Sequence, residues 1–155
     1  MKIAITGHTG GLGLAFFNYF SQSHEVIGLS RSNGYTLPSD LDKVVDVVKN
    51  CDLFFNNAHI GTAQASLIQE LYSDVPIITS GSMAANYTGK QYFDDKRYIE
   101  DVFKAYKSRH PKLLLKMGYL ENYQDRNSIA YCEVINAVEC WINNPRITTI
   151  EFENV

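Results

Sequence analysis

Tyr92 and Lys96 stand four residues apart in a segment of helical period, so both side chains fall on one helix face and can act as a unit. A phenol ordinarily ionises near ~10, too high to exchange protons readily at neutral pH. A neighbouring ammonium favours the phenolate, so such a tyrosine can give a proton to a carbonyl oxygen or take one from a hydroxyl. The chain has ten tyrosines, and no other has a lysine four residues on. The bare pattern is short enough to arise by chance. Its position gives it weight, because it follows an apolar strand-like run and the serines Ser80 and Ser82.

A second chemical feature opens the chain. Thr6-Gly7-His8-Thr9-Gly10-Gly11-Leu12-Gly13 lies between a strand-like run and a helix-like run. There the chain must turn sharply, bring its backbone close to a pyrophosphate and pack a helix tightly on a sheet. Each demand favours a residue without Cβ, and the helix N-terminus then offers free N–H groups and a positive dipole end. Dinucleotide binding is the reading this context supports. Arg31 directly follows the second strand-like run, where many such sites place an acid for the ribose 2′-hydroxyl. A guanidinium there holds a 2′-phosphate by forked hydrogen bonds, and Ser30 and Ser32 can add hydroxyls. NADP(H) is therefore expected in preference to NAD(H). His8 and His59 both fall in loops after strands and read as cofactor-edge residues. With no cysteine or carboxylate at ligand spacing, no metal site is expected.

These residues need a scaffold that presents them at one edge. Short apolar runs alternate with longer helical segments, the pattern of an α/β protein with a parallel sheet. Strands are expected at 2–6, 25–30, 35–37, 52–56, 75–80, 112–116 and 147–152. Helices are expected at 12–20, from a Ser39 cap through Val48, and at 63–72, 91–109 and 128–143. The fold class is thus a three-layer α/β/α sandwich, Rossmann-like and doubly wound, on a mostly parallel seven-strand sheet. Residues 1–155 form a single domain in this reading, with the cofactor at the carboxyl ends of the strands.

Composition narrows the function classes. The 155 residues are 45% hydrophobic and 20% charged, a globular balance, and the net charge of −3 has the wrong sign for a phosphate-backbone binder. No nucleic-acid partner is expected. No apolar run approaches the ~20 residues that span a bilayer, and the first strand starts at once, so neither membrane segment nor signal peptide is expected. The three cysteines, Cys51, Cys132 and Cys140, read as small hydrophobes in a reducing compartment, which makes a cytoplasmic protein the expectation.

The spacing TGxxxGxG at Thr6, Gly7, Gly11 and Gly13 resembles the short-chain dehydrogenase/reductase family. Asn56-Asn57-Ala58 is similar to that family's NNAG motif, Ser80-Gly81-Ser82 falls where it places a catalytic serine, and Tyr92 with Lys96 matches its YxxxK. The resemblance runs along nearly the whole chain, although the family's usual members are longer. It implies Tyr92 as acid/base, Lys96 as its activator and a ribose ligand, and Ser82 as the residue orienting the substrate oxygen. For the cofactor it implies Gly7, His8, Thr9, Gly11, Leu12, Gly13, Ser30, Arg31, Asn57, Ala58, His59, Lys96 and Gly118. The implied partner is a small carbonyl or alcohol substrate, and the implied assembly a homodimer or homotetramer packing helices 63–72 and 91–109 between subunits.

The chain departs from the family at five places. His59 replaces the glycine of NNAG, and the acid after the third strand is Thr36 or absent. Ser80 is a rival to Ser82, the relay asparagine is missing or replaced by Gln64, and Met117-Gly118 stands for Pro-Gly. A brief segment, 119–127, must then cover the substrate, or a neighbouring subunit must complete the site. The alternatives to a reductase are a non-catalytic dinucleotide-binding or sensor protein and an epimerase or dehydratase of the same broad fold.

Overall fold

The computed structural model describes residues 1–121 and 128–154. In chain order the elements are β1 (Lys2–Thr6), α1 (Gly11–Phe20), β2 (Glu25–Leu29), α2 (Leu41–Val48), β3 (Leu53–Asn56), α3 (Ala63–Leu71), β4 (Ile77–Ser82), α4 (Gln91–Ala105), β5 (Lys112–Met117), α5 (Tyr131–Asn143) and β6 (Thr149–Phe152). Two 3₁₀ turns, Arg31–Asn33 and Met83–Asn86, follow β2 and β4. The strands form one sheet in the order β2-β1-β3-β4-β5-β6, with every pairing parallel.

Side-chain alternation along each strand sets the layers. Ile3 and Ile5 of β1, with Leu113 and Leu115 of β5, join Leu12 and Phe16 of α1 and Val134 and Trp141 of α5. Phe16 stacks on Phe55 of β3, with ring centroids 4.2 Å apart. Ala4 and Phe54 turn the other way, toward Val44 and Val48 of α2 and Leu67 and Leu71 of α3. Leu114 meets Ile99 and Phe103 of α4 on that same side. Helices therefore cover both faces, α1 and α5 on one and α2 to α4 on the other. Both-face coverage is why the strand sequences read as nearly unbroken apolar runs.

The sheet has six strands, which corrects the expected seven. Residues 35–37 form no strand. The Asp40 carboxylate accepts the Thr36 N–H at 2.8 Å, and the Asp40 N–H donates to the Thr36 carbonyl at 2.7 Å, so a turn takes the groups a ladder needs. Pro38 has no N–H to offer a neighbouring strand, and Leu37 is buried beneath α2 instead. Asp40, not Ser39, is the residue before α2; Lys43 and the Thr36 N–H hold its carboxyl below the usual range. The last helix begins at Tyr131 instead of 128, with the Ala130 N–H donating to Glu133 at 2.8 Å.

The chain winds outward from β1 to β2, then crosses back past β1 to β3 and onward. Strand order thus reverses between β1 and β3, and ligands of such sheets bind at the carboxyl ends beside that reversal. No helix among the described residues is long and apolar enough to cross a membrane.

Candidate dinucleotide and proton-transfer site

The loop from β1 to α1 opens directly onto the reversal. Gly7 has φ +70°, in the left-handed region that suits glycine, and a Cβ there would sit 3.1 Å from the Ala58 Cα. A Cβ on Gly13 would collide with the Gly7 carbonyl oxygen, so the first turn of α1 lies tight on the loop. The Thr6 hydroxyl accepts the N–H groups of Asn57 at 3.0 Å and Ala58 at 3.2 Å, tying the ends of β1 and β3 together. Gly10 precedes α1 without a side chain to cap it. The first-turn N–H groups and the positive end of the helix are thus left for an anion.

Beside this loop lies a cavity of about 650 Å³. Gly7 and Thr9 form one wall, Ser30 and Arg31 a second, and Ala58 and His59 a third. Six of the expected cofactor residues therefore meet there. Arg31 makes no ion pair or side-chain hydrogen bond among the described residues. The Ser30 and Ser32 hydroxyls are 2.8 Å apart, and Asn33 accepts the Ser30 N–H at 2.9 Å, which fixes the turn carrying Arg31. Ser32 lines it too, and Leu29, Tyr35, Leu37 and Ile60, which the sequence reading does not single out, complete the lining. Their apolar character is readable in the sequence, but the turn that brings 35–37 to the cavity is not.

Other expected residues stand elsewhere. The His8 ring packs 5.1 Å from the Phe17 ring and directly over Gly28, so its side chain fills the space between α1 and β2. Burial lowers its pKa. Leu12 is in the core, and the Gly11 Cα faces the Tyr131 side chain. Gly118 donates its N–H to the Phe152 carbonyl at 3.0 Å and lies against Asn154, at the β5–β6 edge.

Tyr92 and Lys96 occupy the first two turns of α4. Tyr92 is 41% exposed and Lys96 only 4%. The Lys96 Nζ lies 5.9 Å from the centre of the Tyr92 ring and donates to the Gln64 Oε1 at 2.8 Å and the Ser80 carbonyl at 3.1 Å. Burial pushes the Lys96 pKa down to about 8, partly offset by Asp95. Gln64 itself is fully buried; its Nε2 donates to the Asn56 carbonyl at 2.7 Å, while the Gln64 backbone carbonyl accepts the Asn56 side-chain amide at 2.9 Å. One carboxamide thus links β3, β4, α3 and α4.

No family model and no curated protein matches the sequence. Solved structures do. The protein lin1944 from Listeria innocua is 14% identical with TM-score 0.74, over 99% of this chain and 100% of that one. A bulky-bulky ketone specific alcohol dehydrogenase from Comamonas testosteroni is 12% identical with TM-score 0.76, over 97% and 85%. An alcohol dehydrogenase from the archaeon Thermococcus sibiricus, complexed with 5-hydroxy-NADP, is 12% identical with TM-score 0.74, over 100% and 97%. The chain has the short-chain dehydrogenase/reductase fold.

Within that short-chain dehydrogenase/reductase fold the two candidate serines are not equivalent. Ser80 is buried, and its hydroxyl donates to the Asn57 carbonyl at 3.1 Å and contacts the Gln64 amide at 3.1 Å. Ser82 ends β4, and its hydroxyl oxygen accepts only the Ala84 N–H at 3.1 Å among the described residues, leaving its proton free to donate. His59 stands at the cavity edge with its ring 4.8 Å from the Tyr92 ring, edge to face. Burial and then the Lys96 charge lower its pKa and favour the neutral imidazole, while Asp95 acts the other way. The segment 119–127 extends beyond the described residues at 122–127.

One charged group was missed altogether. Lys116 of β5 is buried, with its Nζ 3.3 Å from Glu100 of α4, 3.6 Å from Glu151 of β6 and 3.4 Å from the Asn86 Oδ1. It ends the expected strand 112–116, and nothing in the local sequence announces partners on α4 and β6. Its work is to pin α4, which carries Tyr92 and Lys96, to the sheet.

Proposed function

We propose that the protein is an NADP(H)-dependent oxidoreductase that interconverts a small carbonyl compound and its alcohol. The observation that carries this reading is the cavity between the uncapped start of α1 and Arg31, which has no ion pair among the described residues. The residues fit a dinucleotide. The close approach at Gly7 and Gly13 matches a pyrophosphate against the α1 N-terminus, and Arg31 with Ser30 and Ser32 matches a 2′-phosphate. The bound nicotinamide supplies the hydride.

The chain's own part is proton handling. Tyr92 gives its phenolic proton to the carbonyl oxygen in reduction and takes it back in oxidation. The Lys96 ammonium lies over the Tyr92 ring, 5.9 Å from its centre, and places a positive charge beside the proton donor. Both acceptors seen for Lys96 are interior groups, so in this reading it acts through charge, and ribose contact falls to its remaining proton. The Ser82 hydroxyl donates to the substrate oxygen and orients it. A homodimer or homotetramer belongs to the same proposal and is checked by light scattering.

The test is NADPH oxidation against a panel of carbonyl compounds. Tyr92→Phe is expected to lower turnover at least about 100-fold with NADPH binding intact. Full activity in that variant would remove Tyr92 as the acid. The inward commitment of Lys96 favours a second reading, a dinucleotide-binding protein without turnover. NADPH binding with no oxidation across the whole panel would select it.

A further inference from the structure

His59 touches both halves of the site. It closes the edge of the cavity that holds Arg31, and its ring meets the Tyr92 ring edge to face at 4.8 Å. Its Nδ1 is buried and has no hydrogen-bond partner among the described residues. A buried polar nitrogen left unpaired is costly, and turning it toward a ligand in the adjoining cavity recovers that cost. That atom is closed to solvent, so it meets a ligand only when the imidazole turns.

We propose that His59 is a positioning residue that transmits occupancy of the adenosine-phosphate cavity to Tyr92. A nucleotide seated between Gly7 and Arg31 draws the imidazole round about its Cβ–Cγ bond, so that Nδ1 turns into the cavity and gains the hydrogen bond it lacks. The ring, held on one side by the nucleotide, then restricts Tyr92 on the other. Tyr92 is 41% exposed and has freedom to lose. Ordering it before the carbonyl arrives places that entropic cost on nucleotide binding and away from the chemical step. The coupling needs only that the nucleotide favour one imidazole orientation over others. It rests on the dinucleotide reading above and adds to it a direction: the adenosine end prepares the tyrosine.

The probe is adenosine 2′,5′-bisphosphate, which carries no nicotinamide and so acts on Tyr92 only through the protein. Protein labelled with 3-fluorotyrosine gives a fluorine resonance for Tyr92, assigned by its absence in Tyr92→Phe. In the wild type this resonance is expected to move as the probe saturates the cavity. In His59→Phe, which keeps a ring and lacks the polar nitrogen, probe affinity is expected to fall about ten-fold by calorimetry. In His59→Asn, whose amide restores a polar atom without the ring, affinity is expected within about two-fold of wild type, with the Tyr92 resonance unmoved. Thermal melts of both variants check that the fold is kept.

A Tyr92 resonance indifferent to bound probe in the wild type overturns the coupling. So does a His59→Phe protein that binds the probe as tightly as wild type. Wild-type protein that binds NADPH while either result holds loses this inference alone. Wild-type protein that binds neither NADPH nor the probe loses the dinucleotide reading, and this inference with it.

Discussion

Lys96 carries its charge where water barely reaches, and the consequence is measurable. Its pKa of about 8 in the folded protein lies below the ordinary lysine value near ~10.4. Between those two pH values the unfolded chain binds the proton and the folded one has released it. Stability therefore rises with pH across that window, by up to about 3 kcal/mol. Urea unfolding at pH 7.5 and again at pH 10 should show this rise in the wild type and not in Lys96→Met. Equal behaviour in both proteins would mean the ammonium is better solvated than its burial implies. A second residue-scale expectation concerns Gly13, where a Cβ collides with backbone. Gly13→Ala should destabilise by about 1–3 kcal/mol and abolish NADPH binding, read by thermal melts and calorimetry. The glycine spacing was legible in the sequence because steric need leaves a residue-type signature. The Gln64 carboxamide was legible only as one possible replacement for a missing asparagine, since nothing local to position 64 announces contacts with Asn56, Ser80 and Lys96.

At the scale of elements, α4 is the part that must be held. Its inner face carries Lys96, Ile99, Glu100 and Phe103, so both ion-pairing and apolar contacts fix it to β4 and β5. Glu100→Gln leaves the Lys116 ammonium short of its nearest charge in a buried setting. The expected loss is about 3 kcal/mol, roughly a 10 °C drop in Tm for a chain of this size. The double variant Glu100→Leu with Lys116→Met should return most of it, because a buried pair replaced by apolar side chains is often neutral. If the single variant melts with the wild type, the pair contributes nothing and α4 is held by its apolar face. Element types were readable from hydrophobic period almost throughout. The exception, residues 35–37, shows the limit of that signal: three residues ending in a leucine before a proline fit an edge strand and a turn equally well. The Asp40 side chain decided for the turn, through a contact the period does not encode.

For the whole molecule, six parallel strands and the reversal between β1 and β3 bring distant segments to one edge. Gly7, Arg31 and His59 meet at the cavity, and Tyr92 joins them through the His59 ring. That convergence was foreseeable, because strand ends of a doubly wound sheet share one side. Which face each side chain takes was not, as His8 turning under Gly28 and Ser80 turning inward both show. The account rests on a nucleotide entering that cavity with its 2′-phosphate on Arg31. Calorimetric titration of NADPH and NADH, into wild type and Arg31→Ala, tests it most directly. The expected result is NADPH binding that weakens about ten- to hundred-fold in the variant, with NADH unchanged. Equal loss for both nucleotides would contradict the 2′-phosphate assignment, and no binding of either at millimolar concentration would contradict the cofactor itself.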